Sequence, residues 1–386
     1  MLWNRKKKIS VIGAGNAGCM SALHYYYYGG KQNFEVTLYH DPDIPMERVG
    51  QGTSVPPGGL IFNALGLTWN YNPIGATFKT GIMYEGWGKN KGNHFHEIDM
   101  NAMAMHFIPQ KLSQLVLESG IVKVVEKNIK DPERELDSDF IIDCRGRNNK
   151  NEDDYDTLIN PLNSVLLCNK PGVDPDLTYT RTVATPNGWT FVIPNTDSVS
   201  YGYLYNNTIT SKEEATKDFI ERFDIPEIDG ELTYKNYIAK NVFVGERTLL
   251  NGNRLGFLEP MEATALGFYQ KACRVYYDYI MGITDKYFVN VSLRREMKRI
   301  ATFILWHYQF GSKYDTPFWK YAKSLPFKPD TEFQYILRKS RSVSGVESRY
   351  MTELRKDNHS EYSQWTIRSV KDWDDHVKWN SMSKYN

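Results

Sequence analysis

Residues 8–39 read KISVIGAGNAGCMSALHYYYYGGKQNFEVTLY. KISVI is a short apolar strand, and Gly13-Ala14-Gly15-Asn16-Ala17-Gly18 follows it. CMSALHYYYY is a helical stretch ended by Gly29-Gly30, and residues 34–39, FEVTLY, make a second strand. Strand, G-x-G-x-x-G, helix, strand is the order a dinucleotide site requires. Gly13 and Gly15 let the chain turn and approach a pyrophosphate, and Gly18 lets the helix pack close to the strand. The helix start at Asn16 and Ala17 presents free N–H groups and a positive dipole end to the phosphates. An acidic residue to hold a ribose is expected where the second strand ends. Tyr39-His40 stands there, so the role falls to Asp41 or Asp43, or to His40 itself.

Distant segments extend this reading. Residues 136–147, LDSDFIIDCRGR, are a polar turn, a buried strand and a glycine turn. Residues 252–267, GNRLGFLEPMEATALG, are a glycine-rich loop, with Gly256 in it, leading into a helix. Segments that must return to one sheet suggest FAD rather than NAD, on an interrupted nucleotide domain. No second G-x-G-x-x-G is present for a nicotinamide cofactor.

At 386 residues the chain has room for about two to three structural units. Lys plus Arg total 47 against 46 Asp plus Glu, so no basic surplus points to nucleic acid. No apolar run approaches the roughly 18–20 residues of a membrane span, and the start lacks the pattern of a signal peptide. Cys19, Cys144, Cys168 and Cys273 are scattered without a C-x-x-C pair, which fits a cytoplasmic protein with neither disulfides nor zinc. His94 and His96 are the close histidine pair, with no third ligand near in sequence, so no metal site is expected.

Residues 75–87, GATFKTGIMYEGW, hold one lysine, Lys79, in a strand-like apolar run. A wet strand face accounts for most such lysines. The rest of the chain decides whether it accounts for this one.

The motifs together resemble the tryptophan halogenase family of flavin-dependent halogenases, in order over roughly the first 320 residues. Arg48-Val49-Gly50-Gln51-Gly52-Thr53-Ser54-Val55-Pro56 is similar to the family's strap beside the flavin, with Gln51 in place of glutamate. Phe78-Lys79-Thr80-Gly81-Ile82 resembles the segment carrying its catalytic lysine. Trp189-Thr190-Phe191-Val192-Ile193-Pro194 resembles W-x-W-x-I-P, with Phe191 for the second tryptophan. Residues 257–264, FLEPMEAT, resemble F-x-E-P-L-E-[SA]-T, and residues 303–319 end in the family's D-T-P-F-W. The length suggests a compact member, of the kind a phage carries.

The resemblance implies that reduced FAD, oxygen and a halide ion give hypohalous acid, which halogenates an indole- or phenol-like small molecule. It makes Lys79 the residue that polarises the oxygen–halogen bond and Glu262 its carboxylate partner, which stabilises the cationic ring and takes its proton. It places the halide at Thr264 and Ala265, and the flavin against Arg48, Gln51, Gly52 and Thr53. Trp189, Phe191, Ile193 and Pro194 become a wall between flavin and substrate. His96 is substrate-side, with Ile98 where a stacking aromatic is expected, which argues for a more open aromatic site. Trp365, Trp373 and Trp379 are either packing anchors or binding groups. A separate flavin reductase supplies the reduced FAD, and oligomeric state is left open, a homodimer included.

The expected fold class is α/β (α+β): an FAD-binding Rossmann-like three-layer domain of the flavin monooxygenase type, with an antiparallel substrate-facing sheet and a helical C-terminal region. Residues 1–60, 105–160 and 245–290 are expected to form the first, 61–104 and 161–244 the second, and 291–386 the third. Two rivals use the same fold. An FAD-dependent aromatic monooxygenase has no use for Lys79, and a flavin-binding protein without catalysis fits the departures at Gln51 and Phe191.

Overall fold

Lys7–Ile12 (β1) pairs in parallel with Phe34–His40 (β2) on one side and Phe140–Asp143 (β9) on the other. Lys123–Glu126 (β8) continues the sheet beyond β2. Thr248–Leu250 (β18) and the antiparallel edge Phe243–Val244 (β17) continue it beyond β9. Residues Ile9 to Ile12 are all buried, which is why the run is apolar without alternation. The chain leaves β1 to one side for β2 and returns on the other for β9. The carboxyl end of β1 is therefore the switch point where open α/β sheets bind ligands.

The computed structural model describes residues 5–45, 51–88, 92–98, 104–147, 152–174, 176–342, 365 and 367–377. The chain divides into two compact units. Met1–Phe78, Asn101–Leu158 and Lys235–Met297 form the first, and Lys79–Met100, Ile159–Tyr234 and Lys298–Asn386 the second.

In the first unit, Asn16–Asn33 (α1) follows β1, and its regular geometry breaks at Gly30, where φ is +66°. Val55–Leu65 (α2) and Thr264–Ile280 (α6) pack on α1. α2 occupies the start of a stretch expected, from residue 61, to be sheet. Prolines fill its first turn, where a missing N–H costs nothing, and Gly66 ends it in the left-handed region. Pro109–Glu118 (α3) and the short Pro132–Glu135 (α4) follow in the chain before β9. Two small sheets join them. One is Gln51–Gly52 (β3), Met105–Phe107 (β7) and Thr77–Phe78 (β4); the other is Tyr155–Thr157 (β10), Tyr237–Ala239 (β16) and Gly256–Phe257 (β19).

The second unit is built on a seven-stranded sheet. Its order is Gly230–Thr233 (β15), Ser164–Pro171 (β11), Ser198–Tyr205 (β14), Gly188–Pro194 (β13), Thr180–Thr185 (β12), Gly81–Glu85 (β5) and His94–Glu97 (β6). All neighbours are antiparallel except β12 and β5. Lys212–Phe223 (α5) buries Ala215 and Phe219 against Leu166 and Tyr203, and Ser211 caps it by accepting from the Glu214 N–H. The C-terminal region contains Lys286–Tyr308 (α7, in this unit from Lys298 on), Pro317–Ser324 (α8), Thr331–Ser342 (α9) and Ile367–Val377 (α10). The D-T-P-F-W sequence starts α8: Thr316 accepts from the Trp319 N–H, and the Trp319 indole donates to Thr185 O at 2.7 Å. Among the described residues no helix is long and apolar enough to cross a membrane.

Candidate active site

The Gly13–Gly18 turn sits at the carboxyl end of β1. Gly13 has φ +100°, and its N–H donates to Tyr39 O at 2.8 Å, tying the turn to β2. A Cβ on Gly18 would stand 1.7 Å from Gly13 O, so the third glycine is required by packing within the turn. A Cβ on Gly15 would meet nothing within 4 Å, which leaves an open side. α1 has no acidic residue in its first turn and no side-chain cap. The positive end of the α1 dipole thus faces that side without a carboxylate of its own, and the turn fits a pyrophosphate. Ala17 also packs against Gly252, whose added Cβ would lie 2.4 Å from the Ala17 methyl.

His40 ends β2, 3.9 Å from the Glu126 carboxylate, and Asp41 accepts from the Asp43 N–H at 3.1 Å. Arg48 and Trp379 lie outside the described residues. Gln51 and Gly52 pair with Phe107 and His106, while fully buried Thr53 exchanges two bonds with the Met105 backbone. Gly256 lies between Tyr237, Ile238 and Met297, where a Cβ would come within 3.0 Å of all three, so packing accounts for this glycine.

Glu262 and Ala263 lead into α6 with φ of +68° and +50°. Neither is glycine, and left-handed backbone at such residues costs of order 1–3 kcal/mol each. Glu262 is 5% exposed, and Glu259 beside it is fully buried with its N–H on Asn236. Thr264 and Ala265 open α6, the first buried and the second exposed, with no acidic residue in that turn.

Lys79 belongs to the second unit, one residue after β4 ends. Its segment is held by Thr80 N–H to Thr178 O at 2.8 Å and Ile98 N–H to Thr80 O at 2.9 Å. Lys79 is 3% exposed, which removes the wet-face reading. Ile82 pairs with His96 and Tyr84 with His94, so these four side chains share the buried face of the β5–β6 pair. Burial, then the charges of His94, Lys79 and His307, push His96 down to about 3. Burial, then His376 and His307, push His94 down to about 4. Both imidazoles are therefore neutral at pH 7.

Every residue of β13, Trp189, Phe191 and Ile193 included, is buried, so the strand is covered on both faces. The Trp189 indole donates to Tyr308 Oη at 2.9 Å, and Pro194 closes the strand opposite Val199. Sequence reasoning missed Trp365 as a partner of His96. The rings stack 4.3 Å apart at 11°, a contact that no periodicity or spacing signals. Trp373 is fully buried against Tyr84, so both tryptophans are packed. Among the described residues no cluster of three His, Cys, Asp or Glu is placed to hold a metal.

A parallel sheet with a glycine turn at its switch point in the first unit, and in the second a mostly antiparallel sheet with the buried Lys79 two residues ahead of β5, belong to the FAD-binding Rossmann-like class of flavoproteins. The tryptophan halogenase family matches residues 8–117 and 110–359, and the chain belongs to that family. Tryptophan 7-halogenase RebH of Lentzea aerocolonigenes is 24% identical over 82% of this chain and 79% of its own. The solved structure of the tryptophan 6-halogenase SttH from Streptomyces toxytricini superposes with a TM-score of 0.73 at 18% identity, covering 86% of this chain and 84% of that one. MibH, a tryptophan 5-halogenase, gives a TM-score of 0.78 at 18% identity, covering 97% and 86%. These structural likenesses are of fold. The protein is an FAD-dependent halogenating oxidoreductase that uses reduced FAD, oxygen and a halide on an aromatic substrate, with a separate flavin reductase.

Proposed function

We propose that Lys79 hands the halogen to an indole- or phenol-like small molecule, and that the first unit holds FAD with its pyrophosphate at the Gly13–Gly18 turn. The burial of Lys79 carries this reading: an ammonium is rarely placed at 3% exposure without a task. Reduced FAD, when bound, supplies with oxygen the oxidising power that converts halide to hypohalous acid.

The chain's own residues do the rest. The Lys79 ammonium donates a hydrogen bond to hypohalous acid and polarises its oxygen–halogen bond. Neutral His94 and His96 leave that ammonium without two further positive charges beside it. Glu262, held in a strained backbone, is the proton acceptor for the substituted ring. N–H groups at Thr264 and Ala265 hold the halide, and Gln51, Gly52 and Thr53 border the flavin with His40, Asp41 and Gly256 as further candidates. Trp189, Phe191, Ile193 and Pro194 separate flavin from substrate, and His96 faces the substrate side.

The test supplies reduced FAD from a separate reductase, air, and chloride, bromide or iodide with a panel of indoles, phenols and anilines. Lys79→Ala and Lys79→Arg are expected to lose halogenated product by about a hundredfold or more while still consuming reduced FAD. Equal halogenation by the variants means free hypohalous acid and removes Lys79 from the reaction. Hydroxylated rings in every sample move the protein to the monooxygenases.

A further inference from the structure

The buried face of the β5–β6 pair ends at an aromatic box in the second unit. His96 lies flat against Trp365, both nearly excluded from water at 3% and 6% exposure. Tyr84, Phe303, Trp306, His307 and Trp373 surround the same indole with ring centroids 5.3–6.2 Å away. Most of these contacts are edge-on, whereas the His96–Trp365 pair is parallel. A flat aromatic substrate resting on His96 would lie in the same way. Lys79 is at this end of the sheet: its charge reaches the His96 ring, and the Ile98–Thr80 bond joins the two segments.

We propose that Trp365 is a built-in aromatic occupant beside the halogenating site, and that without a small aromatic substrate its indole accepts the halogen that Lys79 delivers. This rests on the Lys79 reading above. An indole is among the most electron-rich rings a protein contains, and the box keeps out water that would compete for the electrophile. The imidazole stacked on it is neutral, so no second cation opposes the positive charge that develops on the ring. In the step, a ring carbon supplies the electron pair for a new carbon–halogen bond while the oxygen–halogen bond breaks with its pair going to oxygen. The hydroxide takes the Lys79 ammonium proton to become water. The ring carbon then loses its own proton, which restores the ammonium. The ring is oxidised, the halogen is reduced, and hypohalous acid is the oxidant. An aromatic small molecule that takes the place of Trp365 on His96 protects it.

The experiment incubates the full chain with reductase-supplied FAD, air and bromide, with and without an indole, followed by peptide mass spectrometry. Trp69, half-buried, and Tyr287, 77% exposed, report free hypohalous acid. The expected result is bromine on Trp365 ahead of Trp69 by roughly tenfold or more, the scale of a modest proximity effect. Added indole and Lys79→Ala both suppress it. Trp365→Phe, which keeps a ring in the box, removes the label from that peptide and does not transfer it to Trp69. Trp365 left unlabelled in the indole-free sample, while indole is brominated where it is supplied, overturns the proposal and leaves Lys79 as the delivering residue. Labelling that reaches Trp69 and Tyr287 first, or persists in Lys79→Ala, also overturns it. Neither indole nor protein brominated overturns the Lys79 reading itself.

Discussion

Phe191 and Gly202 are register partners on β13 and β14, and the Phe191 ring covers Gly202 so closely that an added Cβ would stand 2.1 Å from it. The aromatic wall at this position thus depends on a glycine in the next strand. Two residues earlier on the same strand, its ring centroid 6.4 Å from that of Phe191, Trp189 is fixed through its bond to Tyr308. Gly202→Ala is expected to force Phe191 off its place and destabilise the protein by about 1–3 kcal/mol, the cost of an overpacked core. A denaturant midpoint unchanged from the parent would show that the ring has somewhere else to go.

The two glycines of the β1–α1 turn separate folding from cofactor binding. Gly18→Ala drives a methyl into Gly13 O and is expected to impair folding itself. Gly15→Ala meets no protein atom, so its stability should stay within about 0.5 kcal/mol of the parent. If the pyrophosphate lies on that open side, FAD affinity falls tenfold or more by rough estimate. Flavin fluorescence titration of the folded variant checks this, and unchanged affinity moves the pyrophosphate elsewhere.

The strained approach to α6 predicts a trade of stability against function. Ala263→Gly relieves a left-handed residue at φ +50° and should stabilise the fold by about 1 kcal/mol. Glu262→Gln keeps the shape but removes the base, and should lower halogenation by about a hundredfold. Thermal unfolding and product mass spectrometry read the two effects separately. A destabilised Ala263→Gly protein would mean the backbone there is not under strain.

Acid should weaken the protein through its buried histidines. His96 and His24 are held at about 3 and His94 at about 4, each chiefly by burial. Unfolded, each takes a proton near pH 6.5. Between those values the unfolded chain binds more protons. Their stabilising contribution is therefore whole above pH 6.5 and is lost as pH falls towards 4 and then 3. Each contributes a slope of roughly 1.4 kcal/mol per pH unit within its window. Urea midpoints from pH 7 to 4 measure the loss, and His96→Gln should flatten it. A midpoint independent of pH over that range contradicts neutral burial.

The local order of β1, the glycine turn, α1 and β2 was legible from residues 8–39 because each piece is specified by near neighbours. An apolar run makes a buried strand, and Gly13 at φ +100° makes a turn that side chains rarely adopt. The α2 helix was not legible: its residues from 61 on were expected in a sheet, and their burial against α1 accompanies the helix instead.

The sequence by itself determined the family, through motifs that keep their order, and marked Lys79 and Glu262 by type and place. It also supplied the reason Gly13 is a glycine, whereas Gly18 answers to the Gly13 oxygen within the turn. Only the tertiary structure decided that Lys79 is buried, that Gly256 answers to packing, that Glu262 is strained, and that Trp365 lies flat on His96. The physical reason is range. Backbone turns and strand faces follow from a few adjacent residues, whereas burial and ring stacking join segments that sequence spacing leaves unrelated.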